Sequence, residues 1–532
     1  MCGILAYFGD INVSIHDELR TTFTQRNHRG PDHFAWENID STVVFGFQRL
    51  AIREISEAGN QPIWCGDHKS ALICNGEVYN EQQLYEAIGI SKPTASSDCA
   101  VIIPLITKFG IQRACEILDS EFAFVFYDHE SRKVLAARDP IGIRPLFYGI
   151  PRTGEGIVFA SEVKMLAATC QTIRPFPPGH YFDGERFVAY RDLTKVATTN
   201  ADSDEQILSS IETLLVEAVR KRMVADVQVG YLLSGGLDSS LVCAIAARMA
   251  NTRIETFSVG MIEDAIDIKY AEIVSSHLGS LHHNIFVTQE QALAALDEVI
   301  FQLETWDITT VRASLGMYLI CKWIRKNTNI KVLLTGEVSD ELFGYKYTDY
   351  APTPEAFQEE AAKRVRELYM YDVLRADRCI SAHSLEARVP FGDLDFVSYV
   401  MSIPSRKKMN TTGMGKALLR NAFAGKGYLP DTILFREKAA FSDAMGHSLV
   451  DTIKDHASRR YTDADVRRAG LRYPHRPPFT KESLLYREIF ERHYPGQADL
   501  IHDYWMPNKQ WENCNVSDPS ARVLPNYGAS GH

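Results

Sequence analysis

The sequence has no apolar run long enough to span a membrane, and its first residues, MCGILAYFGD, lack the basic segment of a signal peptide. Its ten cysteines show no C-x-x-C spacing, which argues against a zinc site and a disulfide framework. The chain has no excess of positive charge, with 57 Lys and Arg against 68 Asp and Glu, and its net charge of −11 argues against sequence-independent binding of nucleic acid. We therefore expect a protein of a reducing, cytoplasmic setting with no nucleic-acid or membrane partner.

The chain of 532 residues exceeds one hydrophobic core, so two or more domains are expected. Its content of 45% hydrophobic and 23% charged residues is ordinary for a globular protein. A Pro/Gly-rich strand region from residue 176 closes the first domain, and the polar residues 195–204 are typical of a linker. We predict domains at 2–195 and 205–507, followed by a C-terminal tail at 508–532.

Residues 227–240, VQVGYLLSGGLDSS, predict a strand, a tight glycine-rich turn and a helix N-terminus. Free N–H groups and partial positive charge make a helix N-terminus attractive to anions. Asp238 is unexpected in an anion site unless it holds Mg²⁺ shared with phosphates. No lysine follows the glycines, so this is not a P-loop. The alternative is an ordinary Gly-Gly turn with a helix cap.

Alternating strands and helices follow this motif, which predicts a parallel, doubly wound sheet with ligands at the carboxyl ends of its strands. The predicted elements are a strand at 254–260, a helix at 267–278, a strand at 281–287, a helix at 289–302 and a strand at 330–334. The last strand ends in TGEVSDELFG, where Glu337, Asp340 and Glu341 suit Mg²⁺ binding or proton transfer. A solvated acidic loop is the alternative interpretation.

Cys2 follows the initiator methionine, and a small residue at this position permits removal of Met1. Cys2 would then carry a thiol together with a free α-amine, whose pKa of about 8 suits a base for the adjacent nucleophile. From these residues alone, an incidental buried cysteine is the simpler interpretation.

Several separated motifs change that interpretation. They are MCGI at the N-terminus, NHRGPD at 27–32, QRLAI at 48–52, NGEVYN at 75–80, SSD at 96–98 and RDPIG at 138–142. In this order and spacing they closely resemble the class II, N-terminal-nucleophile glutamine amidotransferase domain. The resemblance implies an α/β/β/α sandwich, with core strands at 122–127 and 134–137.

The same resemblance implies how glutamine is held and cleaved. It makes Cys2 the attacking thiolate, and it places the oxyanion hole at the Asn75 side chain and the Gly76 N–H. Arg49 suits the α-carboxylate as a bidentate donor, and Asp98 suits the α-ammonium. Leu50, Ile52 and Glu77 belong to the same glutamine-binding group. Taken singly, each motif has an ordinary alternative, such as the hairpin signal of Asn-Gly.

The SGGLDSS turn looks like the pyrophosphate loop of the ATP pyrophosphatases. With WDITTVRAS at 306–314, EARVPF at 386–391, REKAAFSD at 436–443 and DPSAR at 518–522, the second half resembles the synthetase domain of glutamine-hydrolysing asparagine synthetases. This resemblance implies that the β-carboxylate of aspartate attacks MgATP, giving β-aspartyl-AMP and pyrophosphate. Ammonia released at Cys2 then travels through an internal channel and converts the adenylate into asparagine and AMP.

Site residues of the second half are implied by the same resemblance. The ATP-binding positions are Leu233, Ser234, Gly235, Gly236, Asp238, Ser239, Ser240, Val259, Thr335 and Gly336. Glu337 matches the general base for ammonia, and Lys438 matches the lysine that steadies charge on the phosphates. Thr309, Arg312 and Asp340 match residues of the acid substrate, and Asp238 and Asp340 match the Mg²⁺ ligands. Family members are often dimers, so a homodimer is expected.

The sequence departs from the family around the acid substrate. Val338 stands where the family has glycine, and valine is strained if the position needs a positive φ. The stretch Phe343-Gly344-Tyr345 is one glycine short. These departures leave open a second hypothesis, an amidotransferase of the same architecture that acts on another carboxylic acid. A β-lactam synthetase and a non-catalytic glutamine and ATP sensor are disfavoured, because Cys2 and Asp238 are retained.

Overall fold

The computed structural model describes residues 1–10, 13–153, 155–265, 267–437 and 447–527. The chain forms two compact units. The first comprises Met1–Leu193 with the short segments Ala225–Gln228 and Ser381–Glu386. The second comprises Thr194–Val224, Val229–Ile380 and the described residues from Ala387 onward.

The first unit is built on two six-stranded antiparallel sheets. Their strand orders are β10-β8-β9-β1-β3-β2 and β12-β11-β7-β6-β5-β4. The strands are β1 Gly3–Phe8, β2 His33–Asp40, β3 Val43–Arg49, β4 Ile63–Trp64, β5 Ser70–Val78, β6 Ser120–Asp128, β7 Lys133–Arg138, β8 Phe147–Pro151, β9 Ile157–Ala160, β10 Cys170–Pro175, β11 His180–Phe182 and β12 Phe187–Ala189. The helices are α1 Val13–Gln25, α2 Glu81–Ile88 and α3 Ile102–Ile117.

Hydrophobic side chains fill three layers of this unit. Residues from both sheets, such as Phe45 of β3 and Val125 of β6, form one buried cluster between them. The second sheet packs its other face on α2 and α3, and Phe23 of α1 packs against Trp36 of the first sheet. The predicted α/β/β/α sandwich is confirmed, and the apolar run at 122–127 lies in β6 as expected.

The second unit contains a five-stranded sheet in the order β15-β14-β13-β16-β17. The strands are β13 Val229–Leu232, β14 Glu255–Met261, β15 Leu281–Val287, β16 Val332–Leu334 and β17 Glu386–Arg388. The helices are α4 Asp204–Arg222, α5 Leu237–Met249, α6 Ile268–Leu278, α7 Gln289–Leu303, α8 Ile308–Asn327, α9 Ser339–Phe343, α10 Pro354–Glu367, α11 Asp372–Ser381, α12 Leu394–Ser402, α13 Ser405–Lys408, α14 Ala417–Phe423, α15 Asp431–Leu434, α16 His447–Arg460, α17 Asp463–Arg472 and α18 Lys481–His493.

The predicted doubly wound topology is confirmed in the second unit. Strand β13 pairs in parallel with β14 on one side and with β16 on the other. The strand order therefore reverses next to β13, and the turns after β13 and β16 leave the same edge of the sheet, where ligands of such folds bind. The strands and helices predicted between 254 and 334 lie within about two residues of the observed ones.

The predicted linker ends where a capping box starts helix α4. The Ser203 hydroxyl accepts a hydrogen bond from the N–H of Gln206 at 3.3 Å, and the Gln206 side chain accepts one from the N–H of Ser203 at 2.9 Å. These bonds satisfy N–H groups that a helix start leaves without partners. The helix then buries Ile207, Ile211 and Leu215 on one face.

Residues 508–527 do not extend away from the second unit as a tail. Trp511, Cys514 and Leu524 are buried in a cluster with Tyr347 and Phe357 of the same unit. The physical reason is the apolar area of these side chains, which burial removes from water. All ten cysteines are free thiols. No helix among the described residues is long and apolar enough to cross a membrane.

Gly179 provides a stability test of the first unit. Its φ is +66°, and a Cβ placed there would lie 2.0 Å from the carbonyl oxygen of Arg191. Gly89 has a φ of +81° but open space around it. We expect Gly179→Ala to lower the free energy of unfolding by about 3 kcal/mol or more, because strain and a steric clash combine. Gly89→Ala should cost about 1 kcal/mol from backbone strain alone. Urea unfolding of both variants checks this difference, and equal losses would contradict it.

Candidate active sites

In the first unit, Cys2 lies directly before strand β1 and is held by three neighbours. Its backbone N–H donates to the Asn75 Oδ1 at 3.1 Å, and its thiol lies 3.9 Å from the carbonyl oxygen of Leu50. The Nε of Arg29 donates to the carbonyl oxygen of Cys2 at 2.9 Å. The backbone of the predicted nucleophile is therefore fixed on both sides.

Asn75 lies on β5 and is almost fully buried. Because the Cys2 N–H can only donate, the amide oxygen of Asn75 must face it, which fixes the orientation of the amide. The opposite atom, Nδ2, is buried and has no hydrogen-bond partner in the described structure. A Cβ on the neighbouring Gly76 would lie 2.8 Å from the carbonyl oxygen of Glu121, so only glycine fits there. An unpartnered buried donor is what an oxyanion site requires.

Charges around the amino end of the chain are buried and paired. The Nη1 of Arg29 donates to Glu162 at 2.9 Å and to the hydroxyl of Ser381 at 3.1 Å. The α-ammonium of Met1 lies 3.8 Å from Glu386. Burial lowers the pKa of this amine to about 6 and raises the pKa of the Cys2 thiol to about 11. With Met1 in place, the thiol is therefore protonated at neutral pH.

Arg49, predicted to bind the α-carboxylate of glutamine, is surrounded by oxygen acceptors of the following loop. Its guanidinium donates to the carbonyl oxygen of Ser56 at 2.6 Å, to Asn60 Oδ1 at 2.8 Å and to the carbonyl oxygen of Glu54. A Cβ on Gly59 would collide with the Arg49 guanidinium at 2.0 Å, so glycine is required beside it. The predicted neighbours Leu50 and Ile52 are buried next to it in the chain.

Glu77 and Asp98 lie together, as expected for an ammonium site, but a cation accompanies them. The Arg53 guanidinium lies 3.5 Å from Asp98 and 3.8 Å from Glu77, and it is also hydrogen-bonded to Glu81. Asp98 Oδ2 accepts the N–H of Val78 at 2.7 Å. The sequence analysis missed Arg53, because its carboxylate partners are 24 or more positions away along the chain.

In the second unit, the turns after β13 and β16 open onto a cavity of about 230 Å³. The predicted ATP-binding residues that line it are Leu233, Ser234, Gly236, Asp238, Ser239, Val259, Thr335 and Gly336. Gly235 and Ser240 are not among its lining residues. Gly235 instead serves the turn, with a φ of +71° and its backbone packed on α6, where a Cβ would lie 2.6 Å from the N of Ala271.

Two carboxylates converge on one lysine beside this turn. The Nζ of Lys416 lies 2.8 Å from Asp238 Oδ1, 2.9 Å from the Ser339 hydroxyl and in contact with Asp340 Oδ1. Ser339 also donates to Asp238 at 2.7 Å. Asp238 and Asp340, which were predicted as metal ligands, thus meet at one position that the Lys416 ammonium takes. Within the described residues there is no group of three or more His, Cys, Asp or Glu side chains that could hold a metal ion.

Glu337 also lines the cavity. Its Oε1 lies 3.5 Å from Arg375, and its Oε2 is buried without a hydrogen-bond partner among the described residues. Burial, together with the charges of Asp372 and Asp340, raises the pKa of the neighbouring Glu341 well above its usual range. Arg375 was not predicted from the sequence. It lines the same cavity as the acidic side chains of Glu337, Asp340, Glu341 and Asp372.

Thr309 and Arg312, predicted for the acid substrate, both line the cavity from helix α8. The Thr309 hydroxyl is buried without a hydrogen-bond partner in the described structure. Arg312 is engaged: it donates to Glu482 at 2.6 and 2.8 Å and to Asp518 at 2.9 and 3.0 Å. A substrate carboxylate would share this guanidinium with two resident acids.

Val338 adopts the left-handed conformation, with φ +81° and ψ −23°. The condition under which valine is strained at this position is therefore met, and a β-branched residue bears the strain. Its side chain is buried and lines the cavity between Glu337 and Asp340. Lys438, predicted to steady the phosphates, lies outside the described residues.

Comparison with known proteins agrees with this geometry. The glutamine amidotransferase domain profile matches residues 1–185, and the asparagine synthase profile matches residues 210–356 and 347–521. The chain is 39% identical to asparagine synthetase (glutamine-hydrolyzing) of Gallus gallus and to that of Homo sapiens, in each case over 99% of both chains. A solved glutamine phosphoribosylpyrophosphate amidotransferase from B. subtilis matches at 16% identity over 54% of this chain and 81% of that chain, with a TM-score of 0.31.

Fold and sites together define a two-unit amidotransferase, with an N-terminal-nucleophile sandwich and a doubly wound synthetase unit. The full-length relatives from Gallus gallus and Homo sapiens belong to one group within that class. The chain belongs to the glutamine-hydrolysing asparagine synthetase family.

Lys416 contacts both Asp238 and Asp340, which yields a prediction. Lys416→Met leaves Asp238 and Asp340 facing each other without a cation, so we expect the free energy of unfolding to fall by about 3 kcal/mol. Millimolar Mg²⁺ should raise the melting temperature of this variant more than that of the unmodified protein, because the freed carboxylates can bind the ion.

Lys426→Met is the matched control. Lys426 is partly exposed and pairs with Glu212, so its loss should cost less than about 1 kcal/mol and add no response to Mg²⁺. Urea unfolding and thermal melts measure both variants. Equal stability losses, or a Lys416 variant indifferent to Mg²⁺, would contradict the assignment of the two carboxylates.

Proposed function

We propose that this protein makes asparagine from aspartate, with ATP as the activating substrate and glutamine as the nitrogen donor. Glutamine is hydrolysed in the first unit to glutamate and ammonia. In the second unit, aspartate and ATP form β-aspartyl-AMP and pyrophosphate, and ammonia converts the adenylate to asparagine and AMP. The glutamine amidotransferase profile covers the first unit and the asparagine synthase profile covers the second, which supports this division of the two reactions.

In the first unit, Cys2 becomes the amino-terminal residue once Met1 is removed. Its α-amine then stands at the position of the present Cys2 N–H, 3.1 Å from Asn75 Oδ1, and it accepts the thiol proton. The thiolate attacks the side-chain amide, and Asn75 Nδ2 and the Gly76 N–H stabilise the oxyanion. The α-amine of Cys2 passes the thiol proton to the leaving nitrogen, which departs as ammonia. Water then cleaves the thioester to release glutamate.

The α-carboxylate and α-ammonium of glutamine orient it for this attack. We assign the carboxylate to Arg49, whose guanidinium is held by loop carbonyl oxygens at a fixed place. We assign the ammonium to Asp98 and Glu77, with Leu50 and Ile52 beside the substrate. Binding both charged groups holds the side-chain amide at the thiol. The translational and rotational entropy of bringing them together is thus lost on binding and not in the reaction step.

In the second unit, the turn formed by Ser234, Gly236 and Ser239 binds the phosphates of ATP, and Leu233, Val259, Thr335 and Gly336 bind the adenosine. Gly235 and Ser240 support this turn from behind. Thr309 and Arg312 hold the aspartate. Glu337 takes the proton from the ammonia as it attacks the acyl adenylate, since its Oε2 is buried and has no hydrogen-bond partner in the described structure. For Lys438, which lies outside the described residues, we retain the predicted role of steadying charge on the phosphates.

The residues present fit a magnesium ion. Asp238 and Asp340 converge on a position that a cation, the Lys416 ammonium, already takes. These two carboxylates would hold Mg²⁺ together with the nucleotide phosphates, and the ion would neutralise charge on the departing pyrophosphate. Lys416 would then turn toward the phosphate oxygens, where a buried ammonium strengthens the same effect.

One observation carries this proposal: the buried amide of Asn75 is oriented by Cys2 so that its N–H₂ group is left for an oxyanion. The alternative of a different acid substrate is not favoured, because the relatives matched over the full chain are asparagine synthetases. Aspartate-dependent pyrophosphate release, compared across a panel of carboxylic acids, tests the acceptor. We further infer a homodimer and, from ten free cysteines, a reducing cytoplasmic location.

Cys2→Ala should abolish glutamine-dependent asparagine formation, by about a thousandfold or more, because the variant lacks the thiolate that forms the thioester. Synthesis with an ammonium salt should stay within about twofold, since it bypasses this unit. Cys65→Ala is the control, because Cys65 lies in a loop outside the site and should change neither activity. Loss of ammonium-dependent synthesis in Cys2→Ala, or survival of both activities, would refute the assignment.

Glu337→Gln should separate the two steps of the synthetase. Without the carboxylate, ammonia attack slows by about a hundredfold or more, because general-base catalysis is lost. Adenylate formation does not need this base, so aspartate-dependent exchange of labelled pyrophosphate into ATP should continue. Measuring asparagine formation and exchange on the same variant checks the assignment. Equal loss of both would show that Glu337 acts in binding or in adenylation instead.

A further inference from the structure

The Arg53 side chain occupies an unusual place for a cation. Its Nη1 donates to the carbonyl oxygen of Val78 at 3.1 Å and lies 3.5 Å from Asp98 and 3.8 Å from Glu77. Its Nη2 is hydrogen-bonded to Glu81. Opposite charges surround it, and the pKa of the guanidinium is raised because these three carboxylates outweigh its burial.

Two of these carboxylates are the ones that the proposed function assigns to the α-ammonium of glutamine. Asp98 and Glu77 are about 95% buried, so little water screens charges near them. An ammonium that reaches either carboxylate comes within a few ångströms of the Arg53 guanidinium. Like charges at that separation repel in a partly dry site.

We propose that Arg53 is a specificity-determining residue of the glutamine site, which weakens binding of the donor's α-ammonium. The inference rests on the proposed function of the first unit. Selection of the donor then depends more on its α-carboxylate and side-chain amide than on its α-amino group.

Asp98 and Glu81 each have a second contact besides Arg53. Asp98 accepts the N–H of Val78 at 2.7 Å, and Lys92 lies 2.8 Å from Glu81. The backbone of Glu77 is held in strand β5, where it pairs with Glu121 of β6. Arg53 therefore adds a positive charge to a cluster whose strand and neighbouring carboxylates are held by other contacts.

Glutamine still binds in this arrangement. Three carboxylates face two cations, Arg53 and Lys92, so the cluster retains one net negative charge for an incoming ammonium. The expected effect of Arg53 is thus a weaker interaction with the α-ammonium and not its exclusion.

The test compares two donors, glutamine and glutaramate, which is glutamine without its α-amino group. Arg53→Gln removes the charge but keeps hydrogen-bond donors for Val78 and Glu81. We expect the KM for glutamine to fall by about three- to tenfold. The variant lacks a positive charge that would lie a few ångströms from the α-ammonium in a partly buried site, so the repulsion between the two is lost. The KM for glutaramate should stay within about twofold, because it carries no ammonium.

Two control variants isolate the charge at this position. Arg53→Lys keeps the positive charge and should leave both KM values near those of the unmodified enzyme. Lys92→Gln removes a cation that contacts Glu81 and is not paired with Glu77 or Asp98 among the described residues, so it should lower the KM for glutamine by less than Arg53→Gln does. Arg53→Met serves as a second uncharged variant, and ammonium-dependent synthesis with thermal melting reports whether each variant is folded.

Three outcomes would overturn the inference. A KM for glutamine that rises in Arg53→Gln would make Arg53 a positioning residue for the carboxylates. An unchanged KM would show that Arg53 has no influence on the donor. Equal changes for both donors would show a loss of local packing. If the unmodified enzyme does not hydrolyse glutamine at all, the proposed function fails first, and that result differs from all three.

Discussion

The contact of Lys416 with Asp238 and Asp340 is the interaction on which the chemistry of the second unit depends. Parallel pairing of β13 and β16 brings their two turns to one edge of the sheet. The turns touch there, since a Cβ on Gly336 would lie 2.9 Å from the N of Ser239. Two carboxylates brought so close repel unless a cation lies between them. The fold therefore creates a cation site before any nucleotide binds.

The first unit solves a different problem, the placement of a terminal residue. A chain end has few neighbours and is ordinarily mobile. Here Arg29 fixes the Cys2 carbonyl group, and Asn75 fixes its N–H group. The arginine is in turn held by Glu162 and Ser381. A reactive group at a chain end can be as well ordered as one on a strand when its backbone is bonded on both sides.

Short motifs, together with the family resemblance they carry, were enough to predict both folds, because strand ends, glycine turns and helix starts are set by neighbouring residues. Most of the residues predicted for ATP line one cavity of the second unit. The partners of those residues could not be predicted in the same way. Lys416 lies 178 positions from Asp238, and Arg312 meets Asp518 across 206 positions. Nothing in the local sequence around Lys416 indicates which carboxylates it will contact. Such pairings depend on how distant segments pack, which only the tertiary structure determines.

Val338 shows which part of a motif is physically required. The backbone at this position is left-handed, although valine is strained in that conformation and glycine would not be. Burial of its side chain offsets part of that strain. The turn conformation is therefore imposed by its surroundings, in particular by the need to aim Glu337 and Asp340 into one cavity. A loop that holds this shape against the preference of its own residue has kept the geometry around the acid substrate, which supports aspartate as the acceptor despite the altered sequence.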